Sequence, residues 1–241
     1  AWTLPEEYHY TAWTGQRTIA AIEDAQERGE PFFIWSSYHD PHPPYAVPEP
    51  WASMYDPADM EVGELTDGEL DKMPPPHRMT QEQSPDFKPF NKDGIANHGY
   101  QSHLHSKEHM QRAQAIYYGM ISFMDHWIGQ TLDLLDELGM TDNTLIVFTT
   151  YHGHFLGQHG LIAKGPFHYE DVIRVPMLAA WGGRIPPGST NDSVQSLVDF
   201  APTFIAAAGG ESPVNMQGID HTDAWRGGGS ARDHAIIENH H

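Results

Sequence analysis

Apolar residues fall along this chain in two rhythms. Residues 11–28 place Trp13, Ile19 and Ile22 among polar positions at roughly helical spacing, and Gly29 suits a left-handed cap at the end. Pro31 then opens Phe32-Phe33-Ile34-Trp35, an unbroken apolar run predicted as a buried strand. Pro41, Pro43 and Pro44 end it, because each removes a backbone donor and fixes φ. The clearest helix is residues 107–138, where Ile116, Met120, Phe123, Met124, Ile128, Leu132 and Leu135 recur at steps of three or four before Gly139. Residues 144–150 are β-branched and almost wholly apolar, as expected of a strand covered on both faces. A second such strand is predicted over residues 175–181, with Pro176 moving its start toward an edge or a bulge. Residues 196–208 read as a helix stopped by Gly209-Gly210, and Ile236-Ile237 as the start of a last strand.

Between the first strand and the long helix the rhythm is lost. Residues 47–106 are rich in Pro, Gly, Asp and Met and too poor in apolar residues for a second core, so they are read as one long irregular loop or insert. Helix alternating with apolar strand predicts an α/β sandwich, a mostly parallel central sheet flanked by helices. The 241 residues, 39% of them hydrophobic, are enough for a sizeable core. A net charge of −20, from 33 acidic against 13 basic residues, argues against nucleic acid as a partner. No run approaches the roughly 18 apolar residues of a membrane span. No signal peptide is visible, and the composition does not fix a compartment or an oligomeric state. Cysteine is absent, which removes disulfides, thiolate metal sites and a cysteine nucleophile from these residues.

There are 17 histidines, and the question is which of them converge. In open α/β sheets ligands bind beyond the carboxyl ends of the strands. Two strand ends carry polar clusters here. One is His39-Asp40-Pro41-His42; the other is Tyr151-His152-Gly153-His154, followed by His159 and by Lys164 between Ala163 and Gly165. Singly, each has an ordinary reading, since a lone lysine is usually solvated and a lone histidine usually satisfies nearby backbone. His98, His103, His105 and His109 are read in that way, as polar loop histidines rather than a transition-metal site.

The order of these clusters carries a resemblance. Residues 144–150, His152-Gly153, Leu156-Gly157, His159-Gly160-Leu161, Lys164-Gly165, Tyr169-Glu170, Ile173 and Arg174-Val175-Pro176 follow one another as in the sulfatase signature. Residues 40–44, 118–125 and 196–203 match the same family, so the likeness covers nearly the whole chain. The sequence resembles the C-terminal two-thirds of an arylsulfatase-type catalytic domain of the alkaline phosphatase superfamily. That resemblance implies an alkaline-phosphatase-like α/β fold, incomplete at the N-terminus, and hydrolysis of a sulfuric ester, a sulfated small molecule or carbohydrate. It implies that His42 and Lys164 are catalytic, holding the sulfate and its leaving group, with His39, His154 and His168 toward the substrate. His152 and the residue at position 151 would ligate a divalent cation, usually Ca²⁺, and a periplasmic or secreted location would be in keeping with the family.

Two departures qualify the expectation. The family nucleophile is a formylglycine made in a Cys/Ser-x-Pro-Ser-Arg motif, and these residues contain no such motif. The chain is therefore expected to be a fragment without the nucleophile segment or the C-terminal subdomain, and inactive by itself. In addition, Tyr151 stands where the family has a metal-binding Asp, and a neutral phenol is a poor ligand for a hard cation. Two alternatives stay open: a phosphoesterase or phosphonate hydrolase of the same superfamily, and a non-catalytic anion- or sugar-binding protein.

Overall fold

The computed structural model describes residues 2–90 and 99–238, so His98, His240 and His241 lie outside the described residues. The chain divides into two compact units. The first holds the described residues up to Gly139 together with His154–Val172; the second holds Met140–Gly153 and the described residues from Ile173 on.

In the first unit, helix α1 spans Tyr10–Arg28. His9 caps its start by accepting the Thr11 N–H, and Gly29, at φ 63°, turns the chain out at its end. Its buried stripe is Thr11, Gly15, Thr18, Ile22 and Ala25, at alternating steps of four and three. Small residues make that stripe, whereas the Trp13 of the sequence pattern stands on the outer face, 60% exposed. The short helix α2 (Pro75–Met79) and several single 3₁₀ turns are the regular structure described between residues 47 and 106. Helix α3 runs over Lys107–Glu137 with Ser106 accepting the His109 N–H at its start. Met120, Phe123 and Trp127 of α3 close the core against Ala12 and Val47. The helices approach closely enough that a Cβ on Gly15 would meet the Trp127 ring at 2.5 Å, and one on Gly119 would meet the Trp51 carbonyl oxygen at 2.2 Å.

Strand β1 (Ile146–Thr149) belongs to the second unit, and the hairpin strands β2 (Phe155–Leu156) and β3 (Ile162–Ala163) belong to the first. The hairpin pairs Phe155 with Ala163 and carries a second core of Phe155, Leu161, Phe167 and Val172. The one-turn helix α4 (Glu170–Ile173) follows, and strand β4 (Met177–Ala180) then pairs with β1, Ile146 opposite Ala180 and Thr149 opposite Met177. A 3₁₀ turn boxed by Ser196 and Asp199 leads into α5 (Phe200–Ala207), and α6 is Thr222–Trp225. The buried Asp199 carboxylate ties this region together, receiving the Ser196 and Ile219 N–H groups and the Arg232 guanidinium, with His221 at 3.2 Å.

Both ladders among the described residues are antiparallel. Two local expectations are corrected. Residues 32–35 form no strand: the segment is irregular and pairs with no described strand, with Phe33 and Trp35 exposed. A strand is defined by its ladder, which apolar composition alone does not supply. Ile236-Ile237 is likewise exposed and in no ladder with a described strand.

Candidate functional site

The first cluster is a tight turn. The His42 N–H donates to the His39 carbonyl at 3.1 Å, with Asp40 and Pro41 between them. The His39 and His42 rings lie 4.8 Å apart, tilted by 35°. His42 Nδ1 sits 2.6 Å from the Pro43 carbonyl oxygen. A carbonyl only accepts, so the proton is on Nδ1 and Nε2 is the nitrogen left to act on a ligand. His39 is exposed and His42 half-buried, so both rings can meet a solute.

Beneath this turn, Asp40 is buried. Its carboxylate accepts the Tyr10 hydroxyl at 2.6 Å and the Thr11 hydroxyl at 2.5 Å, both from the first turn of α1. Burial raises the Asp40 carboxyl above its ordinary range, opposed by the hydroxyls of Thr11 and Tyr10. His9 lies 4.0 Å away but is not its ion-pair partner in this geometry. The His9 ring donates from Nε2 to the Ala46 carbonyl and accepts the Thr11 N–H at Nδ1, which accounts for both nitrogens.

The second cluster is joined to the first through the chain. Tyr45, three residues beyond His42, shares a 2.5 Å hydrogen bond with His154 Nε2, and the His154 ring stacks on Tyr117 at 5.2 Å. Burial pushes the Tyr45 phenol up to about 12, with Tyr117 adding to it, so its hydroxyl keeps its proton at neutral pH. Lys164 follows β3 and is half-buried. Its backbone is set by two neighbours. A Cβ on Gly99 would come within 2.6 Å of the Lys164 carbonyl oxygen, and buried His103 donates to the Gly99 carbonyl while accepting the Ile162 N–H. His103 is thus a structural tie, in keeping with its reading from sequence.

His168 does not join these groups. It is exposed and faces His77, whose imidazole is lowered first by burial and then by His168. His159 is a tie of another kind. Held at φ 57°, it places Nδ1 against Glu69 and Nε2 against Asp171 and stacks on Tyr169 at 3.8 Å. A ring protonated at both nitrogens satisfies both carboxylates.

Tyr151 and His152 follow β1 in the second unit. The Tyr151 ring is 68% exposed and meets His152 edge-on at 5.1 Å. His152 donates from Nδ1 to the Gly153 carbonyl at 2.8 Å, the usual outer hydrogen bond of a histidine that ligates through Nε2. Ca²⁺ takes six to eight oxygen ligands, carboxylates above all. Here the donors are one imidazole and one phenol, and among the described residues no group of three or more His, Asp or Glu is arranged to hold a metal. The residues present do not fit Ca²⁺.

The sequence pattern singled out His42, Lys164, His152 and His154 as candidates and gave no role to Asp40, Tyr10, Tyr45 or Tyr117, of which Tyr10 bonds Asp40 and the other two tyrosines meet His154. Asp40 was in plain view inside the Asp-Pro-His-Pro-Pro run; its burial depends on Tyr10 and Thr11, about thirty residues upstream, and leaves no local signal.

The fold has known counterparts. The phosphonate monoester hydrolase SpPMH from Silicibacter pomeroyi superposes with a TM-score of 0.77 at 25% identity, over 96% of this chain and 44% of that one. The architecture is therefore an alkaline-phosphatase-like α/β fold. The sulfatase family model matches residues 1–210, and the chain belongs to the sulfatase family. The uncharacterized sulfatase YidJ of Escherichia coli is 27% identical over 217 residues, 89% of this chain and 39% of its own length. An N-acetylglucosamine-6-O-sulfatase of Bacteroides thetaiotaomicron is 41% identical over 102 residues, 42% of this chain and 18% of its own. The chain spans about two-fifths of the length of curated relatives that it matches over most of its own length.

Proposed function

We propose that the protein to which these residues belong is a sulfuric ester hydrolase. The observation that supports the reading is the state of His42: Nδ1 is committed to the Pro43 carbonyl, which leaves Nε2 as the nitrogen that can act on a ligand. A sulfate ester gathers negative charge on its oxygens and on the departing oxygen as the S–O bond breaks. Protonated at Nε2, His42 gives that proton to the leaving oxygen as a general acid. Lys164 supplies a positive charge to the sulfate oxygens. His39 and His154 flank the ester and its leaving group, and His168 meets the outer part of a larger substrate. The attacking group is a formylglycine from a motif that these 241 residues do not contain. No step is assigned to Ca²⁺, because Tyr151 and His152 do not make its ligand set. A sulfated carbohydrate is the preferred substrate class, supported by the local likeness to the N-acetylglucosamine-6-O-sulfatase.

The test is hydrolysis of an aryl sulfate and of a matched aryl phosphonate monoester by the complete protein. Sulfate release, reduced about 100- to 10,000-fold in kcat by His42→Ala, is the expected result. Release from the phosphonate alone would favour a second reading, phosphonate monoester hydrolysis, for which the likeness to SpPMH is the support. Turnover of neither ester would leave the anion-binding reading that Tyr151 favours.

A further inference from the structure

The turn that presents His39 and His42 hangs on one buried carboxylate. Asp40 is its second residue, 5% exposed, and both carboxylate oxygens are taken by hydroxyls of α1: Oδ1 by Tyr10 and Oδ2 by Thr11. Tyr10 does more than donate. Its ring packs edge-on against His39 at 5.4 Å, and His39 lies against His42. The start of α1 is therefore bonded to the turn's backbone through Asp40 and touches the imidazole pair through Tyr10.

We propose that Asp40 is a positioning residue: seated by Tyr10 and Thr11, it fixes the turn so that His42 is held as the Nδ1–H tautomer with Nε2 presented to the ligand. The inference rests on the proposed function only in treating His42 as a site residue. Its physical basis is that the His42 tautomer depends on one short bond to the carbonyl of Pro43, the next residue, and that bond holds only while the turn keeps its shape. Beyond these hydroxyls, among the described residues, the carboxylate has His9 at 4.0 Å and the charge of His39 near it. His9 is satisfied without it, and a carboxyl destabilised by burial could be replaced by an apolar side chain if the turn only filled space.

The experiment reads the His42 ring directly. Long-range proton–nitrogen correlation spectra of the full chain, labelled with ¹⁵N-histidine, report the tautomer of each imidazole. The parent chain is expected to show His42 mainly protonated at Nδ1. In Asp40→Asn and in Tyr10→Phe the ratio of Nδ1–H to Nε2–H is expected to fall about threefold or more, the weight of one net hydrogen bond, while thermal melting stays cooperative. A role confined to stability would lower the melting temperature and leave the ratio unchanged, and that result overturns the proposal. Should Asp40→Asn fail to fold, Tyr10→Phe carries the test, since it removes one donor and keeps the ring against His39. The readout involves no substrate, so an error in the assigned reaction would appear in the hydrolysis assays and not in these spectra.

Discussion

At the scale of single residues, most of the information lies in which nitrogen of each imidazole holds a proton. His42 and His152 donate from Nδ1 to a carbonyl one residue on, whereas His9 and His103 use both nitrogens on backbone. Such a division cannot be read from sequence, because all four residues are spelled alike and differ only in what surrounds them. It has a consequence for pH. Burial lowers His77 and His103 below the ordinary 6.5, so the unfolded chain takes up protons where the native chain does not. Stability is then complete above 6.5 and is lost as the pH falls below it. Asp40, raised by burial, acts in the opposite sense, its contribution growing as the pH falls through the carboxylate range. Melting temperatures from pH 7.5 to 5.5 should decline, and His103→Gln should flatten the slope; an unchanged slope would clear His103 of the effect. The same scale holds Tyr151. Exchanging it for a carboxylate adds a hard oxygen beside His152, so Tyr151→Asp should bind Ca²⁺ on the order of tenfold more tightly by calorimetry. Equal affinity would remove Tyr151 as the defect.

At the scale of elements, helices were legible and strands only partly so. The periodicity of α3 survives because 31 residues average out local accidents. Its partner α1 was located correctly and Ile22 lies on its buried face, but Trp13 does not. Much of that face is Gly15, Thr18 and Ala25, which a search for large apolar residues passes over. Their smallness is what brings the helices together, and it is testable. Gly119→Ala places a methyl 2.2 Å from the Trp51 carbonyl, a rigid backbone atom, so a loss of about 1–3 kcal/mol is expected despite the better helix propensity of alanine. Chemical denaturation measures it, and a stabilised variant would mean that the Trp51 turn yields. The two-residue strands β2 and β3 have no signal of their own; Phe155 and Leu161 acquire meaning only once Phe167 packs against them.

At the scale of the whole molecule, family membership was legible because ordered motifs spaced along most of the chain are hard to produce by chance. What the protein does as a whole was less so, since these residues span about two-fifths of their fuller relatives. The 241-residue chain is expected to release no sulfate from an aryl sulfate, lacking the nucleophile motif. Measurable, enzyme-proportional release would mean that another of its side chains attacks sulfur. The described part of residues 47–106 reaches the other elements at dispersed points, such as Gln81 on the Gly160 carbonyl and Glu69 on His159.

The exposed aromatics of residues 32–35 also govern how the chain behaves in a tube. An apolar run that shows Phe33 and Trp35 to solvent is a surface on which a second molecule can bury its own, and so the seed of a precipitate. The charge of −20 holds molecules apart, but only as far as the Debye length allows, about 10 Å in 0.1 M salt and 3 Å in 1 M. Turbidity should therefore set in at lower protein concentration as salt is added, and replacing Trp35 by lysine should postpone it.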